Sequence, residues 1–325
     1  MRIIVYGVGA IGGTVAAALA LSGREVVGIA RGAQLAAIRA DGLLLRTPAQ
    51  EARARFDCRA DPTEFALRTD DAILLTMKSQ DTVAALERLQ AAGLRDQPIF
   101  CVQNGVANER STSQRFANVH GVAVMMPAGY DRPGEVAVFA TPRLGIFDVG
   151  RYPEGRDGAD DALAEALNAA NVAAFVTETV MESKYGKLLM NLNNIVAATL
   201  GEAARQGRFP GLLRAEAEAA FQAAGIRWRD VGASDPRRAA LLRREEIAGV
   251  VRIGDSSTQS LARGAGSIET EYLNGEIVRL GRLRGVPTPV NAAFVELAER
   301  MIRERRAPGG LDAAEAEAVL SACGA

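Results

Sequence analysis

Arg2-Ile3-Ile4-Val5-Tyr6 leads directly into Gly7-Val8-Gly9-Ala10-Ile11-Gly12-Gly13, and this junction decides the fold. The first block is a short apolar run of β-formers and the second is a glycine turn. Thr14 to Leu21 is small and apolar, with helical character, and Glu25 to Ala30 is a second β-like run that ends at Arg31. Strand, glycine turn, helix and strand in that order open a dinucleotide-binding unit.

Each glycine has a physical job in that reading. Gly7 allows the tight turn out of the strand. Gly9 lets backbone N–H groups approach a pyrophosphate with no Cβ in the way, and Gly12 lets the helix pack close to the strand. The free N–H groups and positive dipole end of the helix that follows face the phosphates. The spacing G-x-G-x-x-G alone is weak evidence, and the flanking strand and helix carry the argument. A NAD site commonly has an acid at the end of the second strand. Here that strand ends Gly28-Ile29-Ala30-Arg31. The guanidinium of Arg31 suits a 2′-phosphate, which points to NADPH/NADP+. The local alternative is a solvated loop arginine.

The chain has 325 residues, enough for two domains and a large core, and its net charge is −1 with both signs interspersed. That argues against a nucleic-acid or membrane-surface partner. No apolar run approaches the roughly 20 residues that cross a bilayer, and the chain enters its first strand with no signal peptide. Cys58, Cys101 and Cys323 are scattered, which suggests neither a disulfide framework nor a metal centre. A cytoplasmic protein fits these features. His120 is the single histidine, and a lone histidine at a strand end reads as structural. Of 38 basic residues only three are lysine: Lys78, Lys184 and Lys187. Lysine can surrender its proton where arginine cannot, so these three positions merit attention.

The α/β alternation continues to about residue 180. Asp71 to Met77 is a strongly apolar strand, and Lys78 stands just past it, where ligands of doubly wound sheets bind. Gln97 to Val102 runs into Gln103-Asn104-Gly105. Asn and Gly both tolerate a tight turn, and the Asn104 amide can also bond a nicotinamide ribose and a substrate. After residue 180 the pattern is helical: Met181 to Leu200, Leu212 to Ala224, Arg237 to Val251, Ser267 to Arg284 and Asn291 to Arg305. The expected architecture is therefore a doubly wound Rossmann-type α/β domain over 1–180 and an all-helical domain over 181–305. A tail spans 306–325, with a short helix at Ala313 to Leu320.

On the first of these helices Lys187, Asn191 and Asn194 lie at i, i+4 and i+7 and share one face. The functional reading is a cationic acid with two amides facing an interdomain cleft; the plain one is an exposed polar face. Ser257 and Glu269 stand in the later helical segments, where a helix cap and a solvated glutamate are the default readings.

At this point the chain resembles the 2-dehydropantoate 2-reductases, also called ketopantoate reductases. The resemblance runs from Arg2 to about Arg305. It rests on Gly7, Gly9, Ala10, Ile11 and Gly12, on Lys78, and on Gln103-Asn104-Gly105. It rests further on Lys187-Leu188-Leu189-Met190-Asn191 as the family's K-L-x-x-N. Glu269-Thr270-Glu271-Tyr272-Leu273-Asn274-Gly275 matches its E-x-x-Y-x-N-G, and Ser257 lies twelve residues before it. The resemblance implies Lys187 as catalytic acid, Glu269 as its substrate-contacting partner, and Asn104, Asn191, Asn194 and Ser257 as substrate-binding residues. It implies hydride transfer from NADPH to a small 2-oxo acid, ketopantoate giving pantoate. Two positions depart from the pattern. The family's second asparagine falls at Ile195, with Asn194 one residue early, and Tyr185 stands where tryptophan is usual. The alternatives are a reductase of a different 2-oxo acid and a non-catalytic NADP-binding regulator. The helical domain leaves room for a homodimer.

Overall fold

In the computed structural model, residues 1–130, 132–264 and 266–322 are described, and Cys323 lies outside them. The chain forms two compact units. The first comprises Met1–Gln103, Asn108–Lys184 and Asp230–Arg252, and the second Asn104–Ala107, Tyr185–Arg229 and Ile253–Ala325.

An eight-stranded sheet organises the first unit. Its strands, in chain order, are β1 (Arg2–Tyr6), β2 (Val26–Ile29), β3 (Asp57–Arg59), β4 (Asp71–Leu75), β5 (Ile99–Cys101), β6 (Val119–Met125), β7 (Ile146–Arg151) and β8 (Ala173–Val176). Across the sheet they run 3-2-1-4-5-6-7-8. The first six positions are the order of a dinucleotide-binding fold, with the reversal between β1 and β4. All pairs are parallel except β6 with β7. β1, β4 and β5 are buried along their whole length, which is why they read as continuous apolar runs rather than alternating ones. The expected Rossmann-type domain is present.

A four-stranded sheet stands apart from it, with Leu43–Arg46 between Glu51–Ala54 and Glu135–Val138, and Ala128–Gly129 at the far edge. The segment 230–252 differs from the expectation of a helix over Arg237 to Val251. It forms a six-residue helix, Pro236–Leu241, and then a strand, Leu242–Arg244, paired antiparallel with Ala140–Pro142 of the first unit. Asp235 caps the helix by accepting from the Arg237 amide (3.0 Å), and the Arg237 guanidinium donates to Asp148 of β7 at 2.6 Å. Both carboxylates hold that guanidinium above its usual range. A three-residue strand takes its identity from its partner, so periodicity could not show it.

The second unit contains no β-strand among its described residues. Its helices are the end of Val180–Asn191, then Asn194–Leu200, Phe209–Ala224, Ser256–Ala262, Thr270–Arg284, Pro289–Arg303 and Ala313–Ala322. Glu216 ties the bundle at mid-length: its carboxylate accepts from the amides of Val290 and Asn291 and from the Asn291 side chain, which also donates to the Leu213 carbonyl. The tail helix packs on Pro289–Arg303 through buried Ala316 and Leu320. No helix among the described residues is long and apolar enough to cross a membrane.

Candidate active site

In the first unit, the glycine turn closes where β1 ends. Gly7 has φ +109°, a conformation that only glycine adopts without strain, and a Cβ there would meet the Met77 backbone at 2.6 Å. A Cβ on Gly12 would lie 2.3 Å from the Gly7 carbonyl oxygen, so only glycine lets the helix Ala10–Leu21 sit this close to the strand end. Gly9, the residue that caps the helix, has nothing within 4 Å of its would-be Cβ. The cradle is thus tight on the protein side and open on the ligand side, as a pyrophosphate against a helix N-terminus requires.

Two side chains that the sequence did not single out shape this turn. Thr76, just past β4, donates from its hydroxyl to the carbonyls of Tyr6 (3.0 Å) and Gly7 (2.9 Å). Gln34 is buried; it donates to the Val8 carbonyl (2.9 Å) and accepts from the Gly134 amide (2.7 Å). Neither residue belongs to a motif, because each acts across a tertiary contact.

Arg31 is exposed and caps the helix Gly32–Asp41, at the carboxyl end of β2. Burial pushes the Tyr6 phenol upward, and the nearby Arg31 guanidinium opposes that shift. Lys78 is half-buried and follows β4 by three residues. An open cradle against a helix N-terminus, with two cations beyond the carboxyl ends of the strands, can hold a dinucleotide. His120 is elsewhere. It sits near the start of β6, fully buried, with Nδ1 2.7 Å from Asp160 and its ring stacked on Phe100 at 4.5 Å. Its ring is held by partners of the first unit, Asp160, Asn118 and Phe100.

Asn104, Lys187, Asn191, Asn194, Ser257 and Glu269 all belong to the second unit. Lys187 is half-buried on the helix Val180–Asn191. Its neighbour Gly186 has no room for a side chain, since a Cβ would fall 1.7 Å from the Arg229 carbonyl oxygen. Tyr185 packs edge-on to Phe221 at 5.1 Å, and Trp228 packs on the same ring at 5.7 Å.

Lys187 and Asn191 stand one turn apart on the same helix, Val180–Asn191. The helix is interrupted at Leu192 and Asn193, and Asn194 opens a new helix, Asn194–Leu200. The Leu192 amide still donates to the Leu188 carbonyl (3.1 Å), and Asn193 keeps right-handed helical backbone. Asn274 lies opposite this interruption, with its side-chain amide donating to the Leu192 carbonyl (3.4 Å) and to Asn291 Oδ1 (3.1 Å). Asn191 is buried, and its Nδ2 has no hydrogen-bond partner. Asn194 is half-buried, and Ile195 is in the core.

Ser257 is not a cap. Asp255 caps the helix Ser256–Ala262, accepting from the amides of Ser257 (2.9 Å) and Thr258 (3.0 Å), and it pairs with Arg205. Burial pushes the Asp255 carboxyl upward against those partners. Ser257 is buried, and its helix packs on Asn194–Leu200. Glu269 is buried at the N-terminus of Thr270–Arg284, where a helix dipole favours a carboxylate. Asn104 is half-buried, and its neighbour Gly105, at φ +80°, approaches the Tyr272 carbonyl so closely that a Cβ would be 3.0 Å from it. The Asn-Gly turn and the start of that helix are therefore packed together.

One further lysine has a defined place. Lys184, in the first unit, is 2% exposed. Its Nζ donates to the carbonyls of Cys101 (3.1 Å) and Gln103 (3.0 Å) and pairs with Glu109.

Sequence comparison matches the family described as ketopantoate reductase PanE/ApbA over residues 3–154, and the C-terminal part of that family over 179–301. A 2-dehydropantoate 2-reductase of Mesorhizobium japonicum is 28% identical over 94% of this chain and 99% of its own. One of Archaeoglobus fulgidus is 28% identical over 91% and 96%. Among solved structures, a PanE/ApbA family ketopantoate reductase from Ralstonia eutropha superposes with TM-score 0.77 at 27% identity, covering 94% of this chain and 99% of that one. A D-mandelate dehydrogenase solved with NADH and anilino(oxo)acetate shares the fold, with TM-score 0.77 at 22% identity over 94% and 99%.

Proposed function

Because this chain belongs to the ketopantoate reductase family, we propose that it is an oxidoreductase that reduces 2-dehydropantoate to pantoate with NADPH. What carries the reading is the presence in one compact unit of Lys187 and Asn191 of K-L-x-x-N with Glu269 of E-x-x-Y-x-N-G and Ser257. A non-catalytic NADP-binding regulator has no use for that acid and its partners.

Gly7, Gly9, Ala10, Ile11 and Gly12 hold the pyrophosphate, Arg31 takes the 2′-phosphate, and Lys78 and Asn104 complete the cofactor contacts. When bound, the reduced nicotinamide supplies the hydride that the 2-keto carbon receives. Lys187 hydrogen-bonds the keto oxygen as an ammonium, stabilises the charge that develops there, and gives up the proton that completes the hydroxyl. Glu269 holds a substrate hydroxyl and favours the charged form of Lys187. Ser257 binds the carboxylate, and Asn104, Asn191 and Asn194 orient the 2-oxo acid. The unpartnered, buried Nδ2 of Asn191 suits that role, because a buried amide donor costs about 1–3 kcal/mol unless something accepts from it.

A second reading keeps the mechanism and changes the acid. Ile195 places a buried apolar side chain where the family has its second asparagine. Loss of nicotinamide absorbance with purified protein, run on ketopantoate beside a panel of other 2-oxo acids, decides between the two. Turnover that prefers ketopantoate supports the first reading. Turnover only with another acid supports the second, and turnover with none despite tight NADPH binding refutes the first and favours a non-catalytic regulator or an acid outside the panel.

A further inference from the structure

The Lys184–Glu109 pair has no part in the chemistry proposed above, yet it is the most completely buried ion pair joined to a site residue by the backbone. Glu109 is fully buried on the helix Ala107–Ser113, and Lys184 is 2% exposed. Burial drives the Glu109 carboxyl upward, and Lys184 opposes that shift. The aliphatic stem of Lys184 lies over β6, where a Cβ on Gly121 would come within 3.4 Å of its Cδ. All three donors of the ammonium are directed at acceptors: the Cys101 carbonyl at the end of β5, the Gln103 carbonyl, and Glu109. The peptide that begins with the Gln103 carbonyl ends with the Asn104 nitrogen.

This also accounts for one of the few lysines in an arginine-rich chain. A compact ammonium with three rotatable donors meets three separate acceptors, and a planar guanidinium fork cannot. An isolated buried pair is weak evidence for stability, because desolvation offsets much of its attraction. Its two bonds to strand-end carbonyls have a geometric consequence instead. They fix the orientation of the Gln103–Asn104 peptide as the chain leaves β5.

We propose that Lys184 and Glu109 form a positioning pair for the Asn104 turn, holding the Gln103–Asn104 peptide in the orientation that lets Asn104 contact the nicotinamide nucleotide. The proposal rests on the reading of Asn104 as a cofactor residue. It is tested by a double-mutant cycle on NADPH affinity, measured by fluorescence titration of the full chain. The variants are Lys184→Met with Glu109→Met, Asn104→Ala, and the combination, with thermal melts alongside. Two residues that act through one contact give non-additive losses.

The expected result is a rise of about tenfold in the NADPH Kd for the pair variant and for Asn104→Ala, with the combination no weaker than the worse of the two. Lys184→Arg keeps the charge and fails to restore affinity. If the pair variant binds NADPH as wild type, or if the losses multiply, the pair is structural only and the proposal is overturned. If Asn104→Ala alone leaves the Kd unchanged, the reading of Asn104 has failed and the proposal falls with it, which the cycle shows separately. Should the pair variant not fold, Glu109→Gln takes its place in the same cycle. Its charge loss leaves both carbonyl bonds available, so it is expected to raise the Kd less; a wild-type Kd for Glu109→Gln together with additive behaviour overturns the proposal.

Discussion

Gly12 and Thr76 meet so closely that a single methyl group could not be inserted between them: a Cβ on Gly12 would lie 2.3 Å from Thr76 Oγ1. Thr76 cannot retreat without breaking its bonds to the Tyr6 and Gly7 carbonyls. Gly9, three residues earlier, faces open space. The two glycines of one motif therefore do different things, and substitution should separate them.

Gly12→Ala is expected to destabilise the protein by about 3 kcal/mol, the upper part of the range for overpacking, because the clash is with backbone and a fixed hydroxyl. Gly9→Ala is expected to leave the stability near wild type and to weaken dinucleotide binding, since its methyl group projects into the cradle. Urea denaturation and a cofactor titration on both variants check this. Equal stability losses would contradict the assignment of Gly9 to the ligand side.

Arg31→Ala is expected to raise the Kd for NADPH by roughly 10- to 100-fold, the worth of a charge-assisted bond to phosphate, and to leave that for NADH unchanged. Arg31 itself stands exposed at a helix N-terminus beyond β2. An equal effect on both cofactors would remove the 2′-phosphate from its role.

Lys187→Ala is expected to lower kcat by about 10²- to 10⁴-fold while NADPH affinity stays within a factor of two or so, as for a group that acts on the proton and not on the cofactor. Single-turnover kinetics beside a binding titration make the test. A variant with near-wild-type kcat would rule out Lys187 as the acid.

Cys58 is buried, and its thiol is pushed up to about 11 by desolvation; burial drives Cys101 in the same direction. Thiolate is the reactive form, so at pH 8 about one Cys58 in a thousand is ionised. Neither cysteine should label with iodoacetamide in the native protein, and both should label in urea. Peptide mapping by mass spectrometry reads the two positions individually, and native labelling at Cys58 would show that its burial is not maintained in solution.

What the amino-acid order determined by itself is whatever depends on near neighbours. The glycine turn was legible because each glycine answers a local demand: positive φ at Gly7, helix-to-strand approach at Gly12, clearance at Gly9. The buried parallel strands were legible because burial on both faces leaves an unbroken apolar run, as in Asp71–Leu75. Lys187 and Asn191 were legible as a pair because one unbroken helix separates them by a single turn.

The tertiary structure decided the rest, for one physical reason. A buried polar group must find a partner, and that partner is set by what packs there, not by what lies next to it in the chain. Asn274 bonds the Leu192 carbonyl, 82 residues away, at the point where one helix ends and Asn194 opens the next. Arg237 reaches Asp148 across 89 residues, in the segment whose strand Leu242–Arg244 pairs with Ala140–Pro142 in place of a helix. Lys184 finds Glu109 across 75 residues and becomes a buried, paired cation, which its place three residues before Lys187 on the same helix does not foretell.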